Sequence, residues 1–157
     1  MRFTLIKDIK QDPFMRLVLS FLLLFIFIYL GSDLFVKHSS FGIFPLQISN
    51  TLYGDTEQFL DAISASLFLE FWHTEIFFCM MILFTLSTVY LRVSKASKGA
   101  IILVHVMMIS AFLSLLTLFL AYYGSNFFVN FYVIFNFIWH IGAVGSSLDS
   151  FKRLYFA

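Results

Sequence analysis

The chain has 157 residues, of which 61% are hydrophobic and 12% charged, with a mean hydropathy of +0.92 and a formal net charge of +1. A water-soluble domain of this length would need far more polar surface, so that class is excluded. The absence of a basic stripe argues against nucleic-acid binding, and the single cysteine, Cys79, excludes an internal disulfide or a CxxC motif.

Four stretches reach the roughly 20 apolar residues that a membrane-spanning helix needs. The first, 17–36, carries Ser32 and Asp33 near its far end. Its 17–30 portion has the apolar core of a signal peptide. No small-residue cleavage pattern follows, however, and Tyr29-Leu30-Gly31-Ser32-Asp33 is a poor site, so an uncleaved anchor is expected. The 37–66 segment is the one substantial loop. Phe41-Gly42-Ile43-Phe44-Pro45-Leu46 is apolar but broken by Gly and Pro, which suits the membrane interface. Tyr53-Gly54-Asp55 reads as a turn, and Asp55 with Gln58 resembles a capping box, predicting an interfacial helix from about Thr56 into the second span.

The second span, 67–91, contains Glu70, His73, Glu75, Cys79 and Met80. The third, 100–122, carries His105 and a Ser110–Ser114–Thr117 stripe, and the fourth, 127–146, carries Asn136, His140, Gly142, Gly145 and Ser146. The links at 93–99 and 124–126 are short, which makes the last three spans antiparallel neighbours. Arg2, Lys7, Lys10 and Arg16, then Arg92, Lys95 and Lys98, then Lys152 and Arg153, all fall on one side of this plan, with Lys37 alone opposite. By the positive-inside rule both termini are cytoplasmic and the 37–66 loop is outside. The expected fold is an all-α integral membrane protein over 1–157: a four-helix antiparallel bundle in the cell's inner (plasma) membrane.

Ionisable side chains at membrane depth are the candidates for function, since each costs a few kcal/mol to insert (about 2.5–3.5 on insertion scales for Asp, Lys or Arg). His105 lies about 8 Å and His140 about 9 Å inside the same boundary at 1.5 Å per helical residue. Two imidazoles at one depth on antiparallel helices suit axial ligation of haem b. Gly142, Ala143, Gly145 and Ser146 would leave room for the macrocycle, and Asn136 would orient His140. Against this, helical periodicity puts His105 nearly opposite the Ser110–Ser114–Thr117 face. The alternative is that each imidazole simply hydrogen-bonds a neighbouring helix.

In the second span Glu75 and His73 are two residues apart, about 200° of rotation, so they do not share one tight site. Glu70, His73 and Met80 share one face; Glu75 and Cys79 share the other. Glu75 is the candidate catalytic or proton-carrying acid. His73, with His38 or Asp33, could form a second metal layer, although His38 in a loop suits solvent. The methionine pairs Met80–Met81 and Met107–Met108 point about 100° apart and suit packing better than copper.

Three functions follow as expectations. The first is a small electron-transfer subunit with haem b held by His105 and His140, exchanging electrons with quinone. The second is a proton- or cation-linked transport component using Glu75 and His73. The third is an accessory subunit of a membrane complex without chemistry of its own.

Overall fold

The computed structural model describes residues 12–57 and 59–156. Arg2, Lys7 and Lys10 lie outside the described residues, and so does Gln58, on which the expected Asp55–Gln58 capping box depends. Five helices follow in order: α1 Pro13–Ser40, α2 Pro45–Tyr53, α3 Ala65–Val93, α4 Lys98–Tyr123 and α5 Phe127–Phe156. Four of them, α1, α3, α4 and α5, are long and apolar enough to cross a membrane. The described residues contain no strand, so the all-α expectation holds.

Local chemistry sets the helix starts. Asp12 caps α1 by accepting from the backbone N–H groups of Phe14 (2.9 Å) and Met15 (3.3 Å), with Pro13 at the first helical position. Ser64 and Ser97 cap α3 and α4 in the same way. The expected helix from Thr56 is not formed. Asp55 instead pairs its backbone with Leu60 in two 2.9 Å hydrogen bonds, and the extra helix lies earlier, at Pro45–Tyr53. Pro45 is a helix starter here rather than a breaker, because its missing N–H belongs to a group that has no helical partner anyway. Gly42, at φ +95°, makes the preceding turn: a Cβ there would sit 2.6 Å from Gln47 Cβ.

α5 is the hub, packing against α4 most extensively and also against α3, α1 and α2. It continues ten residues past the expected end at Ser146, because the run of apolar residues ends before the helix does. Apolar side chains such as Leu23, Phe68, Leu86 and Leu118 fill the interior together with a set of small polar ones, while large apolar side chains cover the exterior, as lipid solvation requires. Ser110, Ser114, Thr117, Ser146, Ser147 and Ser150 are buried, whereas Phe25, Phe35, Phe112 and Ile141 are exposed. The Ser110–Ser114–Thr117 stripe thus lies on the packed face of α4. The two glycines on α5 differ in their surroundings. A Cβ on Gly142 would sit 2.6 Å from Met107 Cγ, but Gly145 is exposed with nothing within 4 Å.

At one end of the bundle α2 lies across the helix ends, seating Ile48 and Leu52 in a cluster with Phe41, Phe68, Leu118, Val129 and Tyr132. Tyr53 donates to the Ala121 carbonyl, and Ser49 donates to Asn126 Oδ1 at 2.8 Å, tying α2 to the α4–α5 turn. The opposite end, where α1 begins and α5 finishes, is the termini end.

Candidate functional site: a buried ion cluster between three helices

α1 docks along a stripe of Leu23, Ile26 and Leu30, and the same 3–4 spacing carries on through Asp33 to Lys37. The helical period therefore turns both charged side chains inward. α3 packs through Phe68, Cys79, Ile82 and Leu86, and Glu75 falls on that stripe. α5 presents Tyr132, Asn136, His140 and Ala143 on one buried face. Side chains lean toward the N-terminus of their own helix. α1 runs opposite to α3 and α5, so Lys37 leans toward the termini end while Glu75 and His140 lean toward α2. The three helices thus converge their polar ends on one point.

At that point Lys37 Nζ lies 2.6 Å from Glu75 Oε2 and 2.9 Å from Asp33 Oδ2. Asp33 Oδ2 is also 2.9 Å from Nε2 of His140, whose Nδ1 is 2.9 Å from the Asn136 carbonyl oxygen. Lys37 is 1% exposed, Asp33 10% and Glu75 15%, so the group is sequestered. The Trp139 ring centroid is 6.0 Å from Lys37 Nζ, within cation–π range, and its Nε1–H donates to Asn136 Oδ1 at 3.2 Å. Tyr29, Cys79 and Tyr132 stand within electrostatic reach. Toward α2, Phe41 stacks on Phe71 with centroids 4.4 Å apart and meets Tyr132 edge-on, forming an aromatic layer over the cluster.

The expected pairing of His105 with His140 is not formed. α4 buries Val104, Met107, Ser110 and Ala111, and His105, one residue past Val104, is carried outside that face. It is exposed, with its Nδ1–H donating to the Ile101 carbonyl of its own helix at 2.8 Å. His140 points inward, with both ring nitrogens already engaged by Asn136 and Asp33. The contact His140 makes with Asn136 is to its backbone carbonyl, while the Asn136 side chain is taken by Trp139. The haem b reading is left with no facing pair of donors.

His73 is exposed with Glu70 and Met80, on the face of α3 that periodicity separates from Glu75 and Cys79. The expected metal layer from His73, His38 and Asp33 is not assembled, since His38 is exposed beyond Lys37 while Asp33 is held by Lys37 and His140. Among the described residues no three His, Cys, Asp or Glu side chains group to hold a metal ion.

The sequence reading missed Lys37. Ending the first span at Val36 made it a loop charge, whereas α1 continues to Ser40. The Leu23–Ile26–Leu30–Asp33–Lys37 spacing was the available signal.

The profile of the Aq_1264_TM family, a transmembrane helical domain, matches residues 29–156, and the chain belongs to that family. The match spans all four cluster residues. No curated protein and no solved structure matches the chain.

Proposed function

We propose that this member of the Aq_1264_TM family is a component of proton-linked transport, in which the Asp33–Lys37–Glu75–His140 cluster takes up and releases one proton. One observation carries the reading: the cluster is complete only with a proton beyond those its ordinary charge states supply. Nδ1 of His140 faces a carbonyl oxygen, so it must carry hydrogen. Nε2 then faces Asp33 Oδ2 at 2.9 Å, where a neutral imidazole and a carboxylate would set lone pair against lone pair. A proton must lie between them. The charge count agrees independently, because two carboxylates against one ammonium leave one negative charge, which that proton cancels. A net charge left in this setting would cost several kcal/mol (about 3–5 when one partner of a buried pair is lost). Of the four, His140 has a ring nitrogen that can either accept or carry that proton, so it is the member suited to exchange.

The test is proton flux in vesicles holding the purified protein and an internal pH dye, driven by an imposed membrane potential. Wild type is expected to move protons, and Glu75→Gln and His140→Gln to move far fewer. Equal flux in all three rejects the reading.

The charge distribution supports an orientation with both termini cytoplasmic and α2 outside, the plasma membrane being part of the same proposal. Arg16, Arg92, Lys95, Lys98, Lys152 and Arg153 stand at the termini end, and Lys37, the apparent exception, is a buried member of the cluster rather than a loop charge. Labelling of single cysteines at Lys98 and Glu57 from either side of the membrane tests this.

A second reading, attachment to a membrane-complex partner, is favoured by the polar side chains on outward faces: His105 on α4, and Glu70 with His73 on α3. Polar groups facing lipid are costly unless another helix receives them. Co-purification in mild detergent, lost on replacing His105 and His73 with Leu, would favour that reading.

A further inference from the structure

The cluster lies beneath an aromatic layer at the α2 end, which raises the question of how protons reach it from the termini end. On α5 the face that bears His140 continues through Ala143, Ser147 and Ser150, all buried. Ser150 Oγ, on a residue 0% exposed, and Ser87 Oγ of α3, on a residue 7% exposed, have no hydrogen-bond partner among the described residues. Arg16 Nε, at the same end, is likewise without one.

Tyr90 lies beside Asp149, and α3 and α5 run in the same direction, so one turn back from that meeting point Ser87 stands level with Ser146 and Ser147. Orphaned hydroxyls and the serine stripe therefore share one region. Toward the termini end the next polar group is the Asp149–Arg153 ion pair, whose side chains are 34% and 38% exposed. Buried hydroxyls without protein partners bind water, which needs two to four polar neighbours of the kind gathered here.

We infer that Ser87, Ser147 and Ser150 line a water-holding inlet through which the ion cluster exchanges protons with the termini side. This rests on the proton-linked reading above. The inlet ends below the cluster. Seven residues separate Ser147 from His140, about 10 Å along the helix, and Ala143, with Leu83 and Leu86 of α3, makes that interval apolar. The layer keeps the inlet and the cluster from forming a continuous leak. A proton enters the inlet water, crosses the layer when it is transiently wetted, and is received by the His140–Asp33 pair; no covalent bond to carbon changes.

The experiment uses the full chain in vesicles. Ser87→Cys and Ser150→Cys, near-isosteric changes, are treated with a membrane-impermeant, thiolate-selective reagent applied from the termini side, and the labelling of wild-type Cys79 is subtracted. Gly31→Cys, on the exposed face of α1 with nothing within 4 Å, reports the rate for a lipid-facing thiol. Labelling of both inlet cysteines at least about tenfold faster than Gly31→Cys is expected, because only a hydrated thiol ionises readily. Proton flux is also expected to fall in the Ser87→Ala/Ser150→Ala double variant. Rates no faster than Gly31→Cys overturn the inlet, even if Glu75→Gln abolishes flux. Fast labelling together with unchanged flux in the double-serine variant overturns its role in proton supply. Fast labelling with Glu75→Gln flux unchanged marks failure of the proton-linked reading itself.

Discussion

Replacing Lys37 with Met keeps most of the length of the side chain and removes its charge, leaving Asp33 and Glu75 buried together. Lys37 Nζ meets two carboxylate oxygens at 2.9 and 2.6 Å. Unit charges about 4 Å apart attract by about 4 kcal/mol at an effective dielectric of about 20, so the gross attraction is at least of that order for each pair. Desolvation of three charges offsets most of it, and the measurable quantity is the cost of stranding a partner, about 3–5 kcal/mol. Lys37→Met is therefore expected to destabilise the bundle by about 3 kcal/mol or more. Glu75→Gln removes one of the two acids, so the double variant Lys37→Met/Glu75→Gln should recover part of the loss, with a coupling energy above about 2 kcal/mol. Interhelical hydrogen bonds between neutral groups in membranes average about 0.6 kcal/mol, so the two kinds of contact are distinguishable. Unfolding in mixed micelles can be followed by Trp139 fluorescence, since that indole lies 6.0 Å from the ammonium. A coupling energy near 0.6 kcal/mol, or a double variant no more stable than the sum of its singles, would refute the ionic description.

Gly142→Leu should cost about 1–3 kcal/mol through overpacking against Met107, whereas Gly145→Leu, facing outward, should leave the same unfolding curve within error. Gly42→Ala meets Gln47 Cβ at 2.6 Å in a positive-φ turn, and is expected to lower stability by about 1–3 kcal/mol with faster hydrogen exchange in α2; an unchanged exchange pattern would count against the turn. Nitrogen NMR of labelled histidine should find His140 with Nδ1 protonated and a proton shared at Nε2, a signal absent from His140→Gln and present in His105→Leu. An Nε2 resonance typical of an unshared lone pair would remove the basis of the proton-linked reading.

The membrane address, the four spans and the packed face of α4 were readable along the chain, because lipid solvation acts on each segment separately. A run of apolar residues long enough to cross is recognisable without its neighbours, and so is the helical period that separates Glu75 from His73. The ends of the helices were less legible. Hydropathy marks where lipid contact stops, while backbone hydrogen bonding carries α1 past Lys37 and α5 past Ser146. His140 and Glu75 could be singled out from sequence, but their partners could not. An ionisable group in a span needs a counter-charge, and nothing local says which helix provides it. Asp33 and Lys37 are i,i+4 neighbours on α1, but only the packing of α1 against α3 and α5, with side chains leaning toward one another from oppositely directed helices, brought Glu75 and His140 to them and turned His105 away from His140.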